Sequence, residues 1–120
     1  MSASPQPGHP VRGSKSGVPV MALFDLLGRS WSMGILWVLC EGGPGTYREL
    51  QARCEQISPT VLNSRIKELC RAGLIGHASN GYHATAMGEE LFALLTPLGR
   101  WAKSWAQHMR HTQTQDEQYG

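Results

Sequence analysis

The stretch from Ile57 to Gly73 constrains the fold more than any other part of the chain. Ser58 can cap a helix by accepting a backbone N–H bond, and Pro59 suits the first helical position, where its missing N–H is not needed. Gly73 suits the left-handed conformation that closes many helices. We therefore predict one helix with both ends marked.

At about 100° per residue, the side chains of this helix separate into two faces. The apolar face consists of Val61, Leu62, Ile66 and Leu69. The opposite face is polar and consists of Thr60, Asn63, Ser64, Lys67 and Arg71. An α-helix fits the major groove of DNA, where amides and hydroxyls can bond base edges and cations can pair with phosphates. The simpler interpretation is that this face is only solvated, as in most amphipathic helices. The elements around the helix are needed to choose between the two interpretations.

A shorter helix is predicted just before it. Thr46 and Glu49 have the Thr-x-x-Glu spacing of a capping box, so we expect a helix from Tyr47 to about Cys54. Two short helices joined by a tight turn, the second one polar on its outer face, are typical of a helix-turn-helix.

The pattern after Gly73 changes to that of a β-hairpin. Short apolar runs at residues 74–78 and 82–85 flank Ser79-Asn80-Gly81, and Asn-Gly is a strong hairpin-turn signal because both residues tolerate positive φ. A hairpin in this position of such a motif is a wing.

Two further helices are predicted ahead of the motif. The first begins at Pro19 and ends at Gly28. Its apolar residues are Val20, Leu23, Phe24 and Leu27. The second is capped by Ser30 and runs from Trp31 to about Glu41. Its main apolar face, which indicates a helix that is buried or at an interface, consists of Trp31, Ile35, Val38 and Leu39.

The last helix should begin near Ala86, with Thr85 as its cap, and reach about His108. Pro97 should kink it, because proline removes one backbone hydrogen bond. Its apolar stripe consists of Leu91, Leu94, Leu98, Trp101 and Trp105. The stripe is longer than a small winged domain can cover, so we expect a second copy of the chain to bury it.

The composition fits a single domain. We expect a flexible arm over residues 1–17, a folded domain over 18–110 and a flexible polar tail over 111–120.

The formal charge is only +2, so DNA binding would depend on where the cations point. No apolar run approaches the roughly 18 residues that span a bilayer, which predicts a cytoplasmic protein without membrane contact. Hydrolase and phosphate-loop motifs are absent, and we predict neither an enzyme nor a cofactor.

Taken together, these features resemble the HxlR-type winged-helix transcriptional regulators of bacteria, which are related to the MarR group. The matching segments are Asp25–Trp31, Tyr47–Leu50, Ile57–Arg65, Glu68-Leu69, Gly73–Ile75 and Tyr82–Gly88. The resemblance implies a mainly α winged helix-turn-helix with a small β-hairpin, and a homodimer held by the first and last helices. It also implies a recognition helix in the major groove of double-stranded DNA, with the wing near the adjacent backbone or minor groove.

Three features of the sequence depart from the family pattern. Many members carry a redox-sensing cysteine just before the Pro-Val that opens the first helix, and Val18 stands there, which rules out sensing through that position. Arg29-Ser30-Trp31 replaces the family's Gly-Lys-Trp. The wing has His77, Asn80 and His83 but no Arg or Lys, which leaves open whether it contacts the minor groove, only the phosphates, or no DNA.

The residues expected to act on DNA follow from the polar face. For base reading we select Thr60, Asn63, Ser64 and Lys67. For phosphate contacts we select Arg48, Arg65, Arg71 and the N–H groups at the Ser58 helix start. Arg65 has an equally weighted alternative role as the intramolecular partner of a glutamate.

Two other sets of residues carry predictions. The dimer interface is predicted to contain Leu23, Leu91, Leu94, Leu98, Trp101 and Trp105. A candidate effector pocket is formed by Trp31, Trp37 and Trp101, although tryptophan more often simply packs.

The three cysteines are too few for a disulfide framework, and we interpret Cys40 and Cys70 as small buried hydrophobes. Cys54, at a helix end near Arg53, is the one expected to be exposed, which makes it the best redox candidate. A zinc site from Cys70, His77 and His83 lacks the usual ligand spacing, so no metal is predicted.

Two functions stay open from the sequence. The first is a dimeric repressor or activator that binds a pseudo-palindromic operator, with a small-molecule effector as an optional ligand. The second is a winged-helix adaptor that binds another protein, which the short uncharged wing favours. Replacing Lys67 and Arg71 with alanine separates them, because only the regulator would lose DNA affinity.

Overall fold

The computed structural model describes Pro7, residues 18–55 and residues 57–119, with side chains as far as Gln113. The predicted arm at 1–17 therefore lies outside the described residues, apart from Pro7. The elements are α1 (Pro19–Leu27), α2 (Ser32–Gly42), α3 (Tyr47–Arg53), α4 (Pro59–Arg71), β1 (Ile75–Ala78), β2 (Gly81–Ala84) and α5 (Ala86–Tyr119). The prediction of a mainly α fold with one small hairpin is confirmed.

The chain divides into two compact units, one that ends at Glu89 and one that begins at Glu90. The core of the first unit comes mainly from α2, α3 and α4, whose fully buried apolar side chains are Ile35, Leu36, Leu50, Leu62 and Leu69. The second unit is the remainder of α5, which continues past the predicted end near His108 to Tyr119. Between Trp101 and Tyr119 there is no Gly or Pro to end the helix.

The two helices of the central motif begin as predicted. Thr46 accepts the N–H of Glu49 at 3.2 Å, and the Glu49 carboxylate accepts the N–H of Thr46 at 3.1 Å, which completes the capping box. Ser58 Oγ accepts the N–H of Val61 at 3.2 Å and caps α4. Gly73 follows α4 with a φ of 78°, so the left-handed closure is confirmed.

α1 forms with the predicted bounds, and the structure shows which of its two apolar sides is buried. Ala22 and Leu26 are buried, whereas Val20 and Phe24 are exposed, Phe24 by 59%. Both faces of α1 are apolar, so periodicity alone could not tell which one packs on α2. The exposed face of α1 is available for a contact outside its own unit.

The predicted start of α2, at Trp31 with Ser30 as its cap, was wrong. Ser30 does not cap the helix, which begins at Ser32 after Trp31 in the left-handed region, at a φ of 71°. The chain turns sharply here, because the N–H of Ser32 bonds the carbonyl of Arg29 at 3.1 Å. A left-handed tryptophan is uncommon and costs on the order of 1–3 kcal/mol, which the surrounding contacts must offset.

The hairpin pairs Ala78 with Gly81, so its connection is Ser79-Asn80, one residue shorter than the predicted Ser79-Asn80-Gly81. Of these residues only Gly81 has positive φ, at 105°. Gly45 adds a third piece to the sheet, because it exchanges two hydrogen bonds with Tyr82, at 2.9 and 2.7 Å. A side chain at Gly81 would meet the Gly45 carbonyl at 2.4 Å, so this close approach requires glycine.

Among the described residues, no single helix is long and apolar enough to cross a membrane. Only α1 and α2 together reach that composition, and they are bent by 84° at their junction.

Candidate nucleic-acid interface

The orientation of α4 follows from its buried face. Leu62, Ile66 and Leu69 are buried as predicted, while Val61 is only half-buried. The start of α4 is tied to α3 because the Tyr47 hydroxyl donates to the Pro59 carbonyl at 3.2 Å. These contacts leave the opposite face of α4 directed at solvent.

That outer face is exposed at every position predicted to read bases. Its exposed residues are Thr60, Asn63, Ser64, Lys67 and Arg71. Near the N-terminus it offers hydroxyl and amide groups, and further along it offers two cations. This order of short polar groups and cations is the chemistry that base edges and phosphates require.

Arg48, on α3, is also exposed. Glu49, which follows Arg48 in the chain, belongs to the capping box. The backbone N–H of Thr46 lowers the pKa of the Glu49 carboxyl, which is ionised at neutral pH. Arg53, in the last turn of α3, instead bonds the carbonyls of Gly43 and Pro44, at 2.7 and 3.2 Å. Arg48 thus remains the α3 cation with the chemistry of a phosphate contact.

Of the two roles considered for Arg65, the structure shows the intramolecular one. Its Nε donates to the Ser30 carbonyl at 2.8 Å, and its Nη1 donates to Glu68 Oε1 at 2.6 Å. The other carboxylate oxygen, Glu68 Oε2, accepts from Arg29 Nη1 at 2.8 Å, and Arg29 lies 3.6 Å from Asp25. We call Arg29, Arg65 and Glu68 the arginine–glutamate cluster.

Sequence reasoning missed Arg29 and Glu68 as parts of one cluster. The spacing of Arg65 and Glu68, three residues apart on a helix, was the available signal for one pair. Arg29 precedes Glu68 by 39 residues, and nothing in the local pattern connects them.

The wing is small and uncharged. His77 and Tyr82 are cross-strand partners and stack with ring centroids 4.3 Å apart and planes inclined by 13°. Ser79 and Asn80, at its tip, are exposed and offer neutral hydrogen-bonding groups. Such a tip can bond a phosphate or a base edge but adds no charge.

The expectation for Cys54 was wrong, because its side chain is buried, with 1% exposure. Burial raises the pKa of the Cys54 thiol, and nearby Arg53 offsets only part of that effect. Burial also raises the pKa of Cys70, and burial together with Glu89 raises that of Cys40. Cys40 and Cys70 are half-buried rather than buried as predicted, because each lies at the edge of its helix's buried face. A protonated thiol is a poor nucleophile.

The predicted effector residues are divided between the two units. Trp31 and Trp37 belong to the first unit, whereas Trp101 belongs to the second and stacks on Trp105 with centroids 6.0 Å apart. An apolar groove of about 160 Å³ on the first unit is lined instead by α1 and the residues after α4, including Leu23, Leu26 and Leu74. Among the residues with described side chains, no three His, Cys, Asp or Glu groups come together as metal ligands.

The predicted dimer residues divide by exposure. Leu94, Leu98, Trp101 and Trp105 are exposed by 55–74% along α5. Leu23 and Leu91 are half-buried. An exposed apolar stripe of this length on a helix is unusual for a surface that stays in water.

Comparison with known proteins agrees with the geometry. Residues 26–110 match the HxlR-like helix-turn-helix family. The structure is similar to that of quinone-bound YodB from B. subtilis, with 29% identity, a TM-score of 0.66, and coverage of 71% of this chain and 96% of YodB. It is also similar to a possible HxlR family transcriptional factor from Thermoplasma volcanium GSS1, with 28% identity, a TM-score of 0.64, and coverage of 71% and 82%. The comparison with curated proteins gave no match.

Proposed function

This chain belongs to the HxlR-like helix-turn-helix family of transcriptional regulators, and we propose that it binds an operator as a homodimer with α4 in the major groove. It is a regulator rather than an enzyme. The observation that carries the proposal is the outer face of α4, where five polar residues are exposed on a capped helix held in place by its buried opposite face. The expected location is the cytoplasm, where the DNA is.

The residues of this face divide by role. Asn63, with Thr60 and Ser64, reads bases, and a bidentate Asn–adenine pair contributes about 1–3 kcal/mol of discrimination. Arg48 and Arg71 contact phosphates, while Lys67 reaches either a base or a phosphate. Phosphate contacts make the affinity strongly salt-dependent, since each one releases a counterion.

Dimerisation buries the exposed stripe of α5, and the exposed Phe24 of α1 is a second apolar side chain that a partner can cover. A two-fold dimer places two copies of α4 opposite two half-sites, which must be about 34–36 Å apart to enter successive major grooves. The operator is therefore expected to be a pseudo-palindrome.

Fluorescence anisotropy tests the proposal directly. The purified protein is titrated onto labelled DNA from upstream of its own gene, with an unrelated duplex as competitor. We expect competitor-resistant binding, a loss of about tenfold in operator affinity for Asn63→Ala, and a smaller salt slope for Lys67→Ala or Arg48→Ala. Lys103→Ala, which removes an exposed cation from α5, is the charge-matched control. Equal affinity of the wild-type protein for both duplexes would contradict operator recognition.

Dimerisation has its own test. Leu98→Glu and Trp105→Glu place charges in the exposed stripe and should convert the dimer to a monomer in analytical ultracentrifugation. Operator affinity should fall when dimerisation is lost, because a monomer cannot bind both half-sites at once. A wild-type protein that sediments as a monomer at micromolar concentration would contradict this part of the proposal.

A small-molecule effector completes the proposal, and quinones are the first class to test, because the YodB structure contains a bound quinone. Rapid reaction at a thiol is not expected here, since Cys54 is buried, Cys40 and Cys70 are half-buried, and burial raises the pKa of all three thiols. A quinone should therefore change operator affinity reversibly and add no mass to the protein. Trp31→Phe, Trp37→Phe and Trp101→Phe test the tryptophan pocket by the loss of quinone-dependent fluorescence quenching.

The uncharged wing keeps the adaptor as a second candidate. An adaptor would bind a protein through the outer face of α4, and Lys67→Ala with Arg71→Ala would leave DNA affinity unchanged. Loss of DNA affinity in that double variant supports the regulator.

A further inference from the structure

We propose that the arginine–glutamate cluster sets the rotational position of α4 and so determines whether its polar face meets the bases. This inference rests on the proposed function, because it concerns how the same helix reads DNA. Arg65 is then a positioning residue, although it is a cation on the recognition helix.

The cluster links three parts of the chain. Glu68 and Arg65 belong to α4, Arg29 belongs to the turn between α1 and α2, and Arg65 also holds the Ser30 carbonyl of that turn. All three charged side chains are largely buried, with 11–19% exposure. The cluster therefore joins the recognition helix to the α1–α2 turn by two hydrogen bonds, of which the Arg29–Glu68 bond is partly buried and the Arg65–Ser30 bond is exposed.

The place of these residues on α4 gives the cluster its effect. At about 100° per residue, Arg65 and Glu68 lie on the flank between the buried face and the outer polar face. The buried leucines and isoleucine hold the helix by contacts that have little directional preference, whereas hydrogen bonds weaken steeply when their angles change. The flank bonds therefore restrict rotation of α4 about its own axis more than the core does.

A small rotation of α4 about its own axis is enough to break hydrogen bonds to base edges. With side chains, a helix has a radius of about 5–6 Å, so a rotation of roughly 15° moves the side-chain ends by about 1.5 Å. A base-edge hydrogen bond does not survive such a shift, because its donor–acceptor distance must stay near 2.7–3.2 Å. Phosphate contacts by long, flexible cations tolerate it better, so loss of the cluster should reduce specificity more than general DNA affinity.

Arg65→Lys separates positioning from phosphate contact. Lysine keeps the positive charge, so it would preserve a phosphate contact. It has one ammonium group in place of the planar guanidinium, so it cannot reproduce the bonds that Nε and Nη1 make in fixed directions to Ser30 and Glu68. Arg48→Lys is the matched control, an equal substitution at an exposed arginine that is proposed to contact phosphate.

The measurement is the affinity of full-length protein for the upstream duplex and for the unrelated duplex, over a range of salt concentrations. For Arg65→Lys we expect about a tenfold loss in operator affinity, a change of less than about twofold for the unrelated duplex, and an unchanged salt slope. Arg48→Lys should remain within about twofold on both, while Arg48→Ala should lower the salt slope by about 0.9.

Several results would overturn the inference. Wild-type operator affinity in Arg65→Lys would do so, as would a lower melting temperature with an unchanged ratio of specific to non-specific affinity, since that is a purely structural role. If Arg65→Lys does not fold, Arg29→Lys removes the same cluster from the other side and must show the same selective loss. If the wild-type protein itself fails to distinguish the two duplexes, the proposed function fails. If it distinguishes them and Arg65→Lys keeps the wild-type ratio of specific to non-specific affinity, only the positioning role fails.

Discussion

Replacing Gly88 with alanine should destabilise the protein, although alanine is the better helix former. Gly88 is buried in the first turn of α5, where an added Cβ would lie 2.0 Å from the Leu74 carbonyl oxygen and 3.3 Å from a methyl group of Leu36. The carbonyl oxygen cannot move away freely, because it accepts the N–H of Thr85 at 3.0 Å. The substitution therefore forces α5 and the chain before the hairpin apart.

The expected loss in the free energy of unfolding combines two destabilising contributions and one stabilising contribution. Overpacking of this kind costs about 1–3 kcal/mol, and weakening the Thr85–Leu74 hydrogen bond costs about 1 kcal/mol more. The higher helix propensity of alanine returns up to about 1 kcal/mol. The net loss is about 2 kcal/mol, which lowers the melting temperature of a domain of this size by roughly 10 °C.

Gly34→Ala is the matched control, because Gly34 is also the third residue of its helix. A Cβ there would meet only the Trp31 ring, at 3.4 Å, an ordinary contact distance. Thermal unfolding followed by circular dichroism at 222 nm, at one protein concentration, should show Gly34→Ala at or above the wild-type melting temperature and Gly88→Ala well below it. Equal melting temperatures for the two variants would refute the close-contact argument.

Four further predictions concern the helix caps and the Cys54 thiol. Ser58→Ala removes the α4 cap and should lower the free energy of unfolding by about 1 kcal/mol in urea titrations. Glu49 has a lowered pKa in the folded state, so its stabilising contribution is present above its unfolded-state pKa and is lost as pH falls through its folded-state pKa; Glu49→Gln should flatten that acid dependence of stability. Cys54 should react with iodoacetamide at pH 7.5 far more slowly in the native protein than in urea, and equal rates would show that the thiol is accessible. Because its pKa is raised on folding, that thiol should also make the fold less stable as pH rises above the ordinary thiol range.

The amino-acid sequence alone determined the features that depend on neighbouring residues. The capping box at Thr46 and Glu49, the Ser58 cap, the left-handed Gly73 and the two faces of α4 all follow from spacings of a few residues, and each is confirmed. Such signals are readable because the interacting groups are held together by the helix or turn itself.

Only the tertiary structure decided the features that depend on distant contacts. Which apolar face of α1 is buried, the burial of Cys54, and the bridge between Gly45 and Tyr82 depend on elements that meet only in the folded chain. The role of Arg65 is the clearest case, since its partner Ser30 lies 35 residues away and the same guanidinium could equally have met a phosphate. A local pattern specifies what a side chain can bond, but the packing of α4 against the α1–α2 turn determines what it does bond.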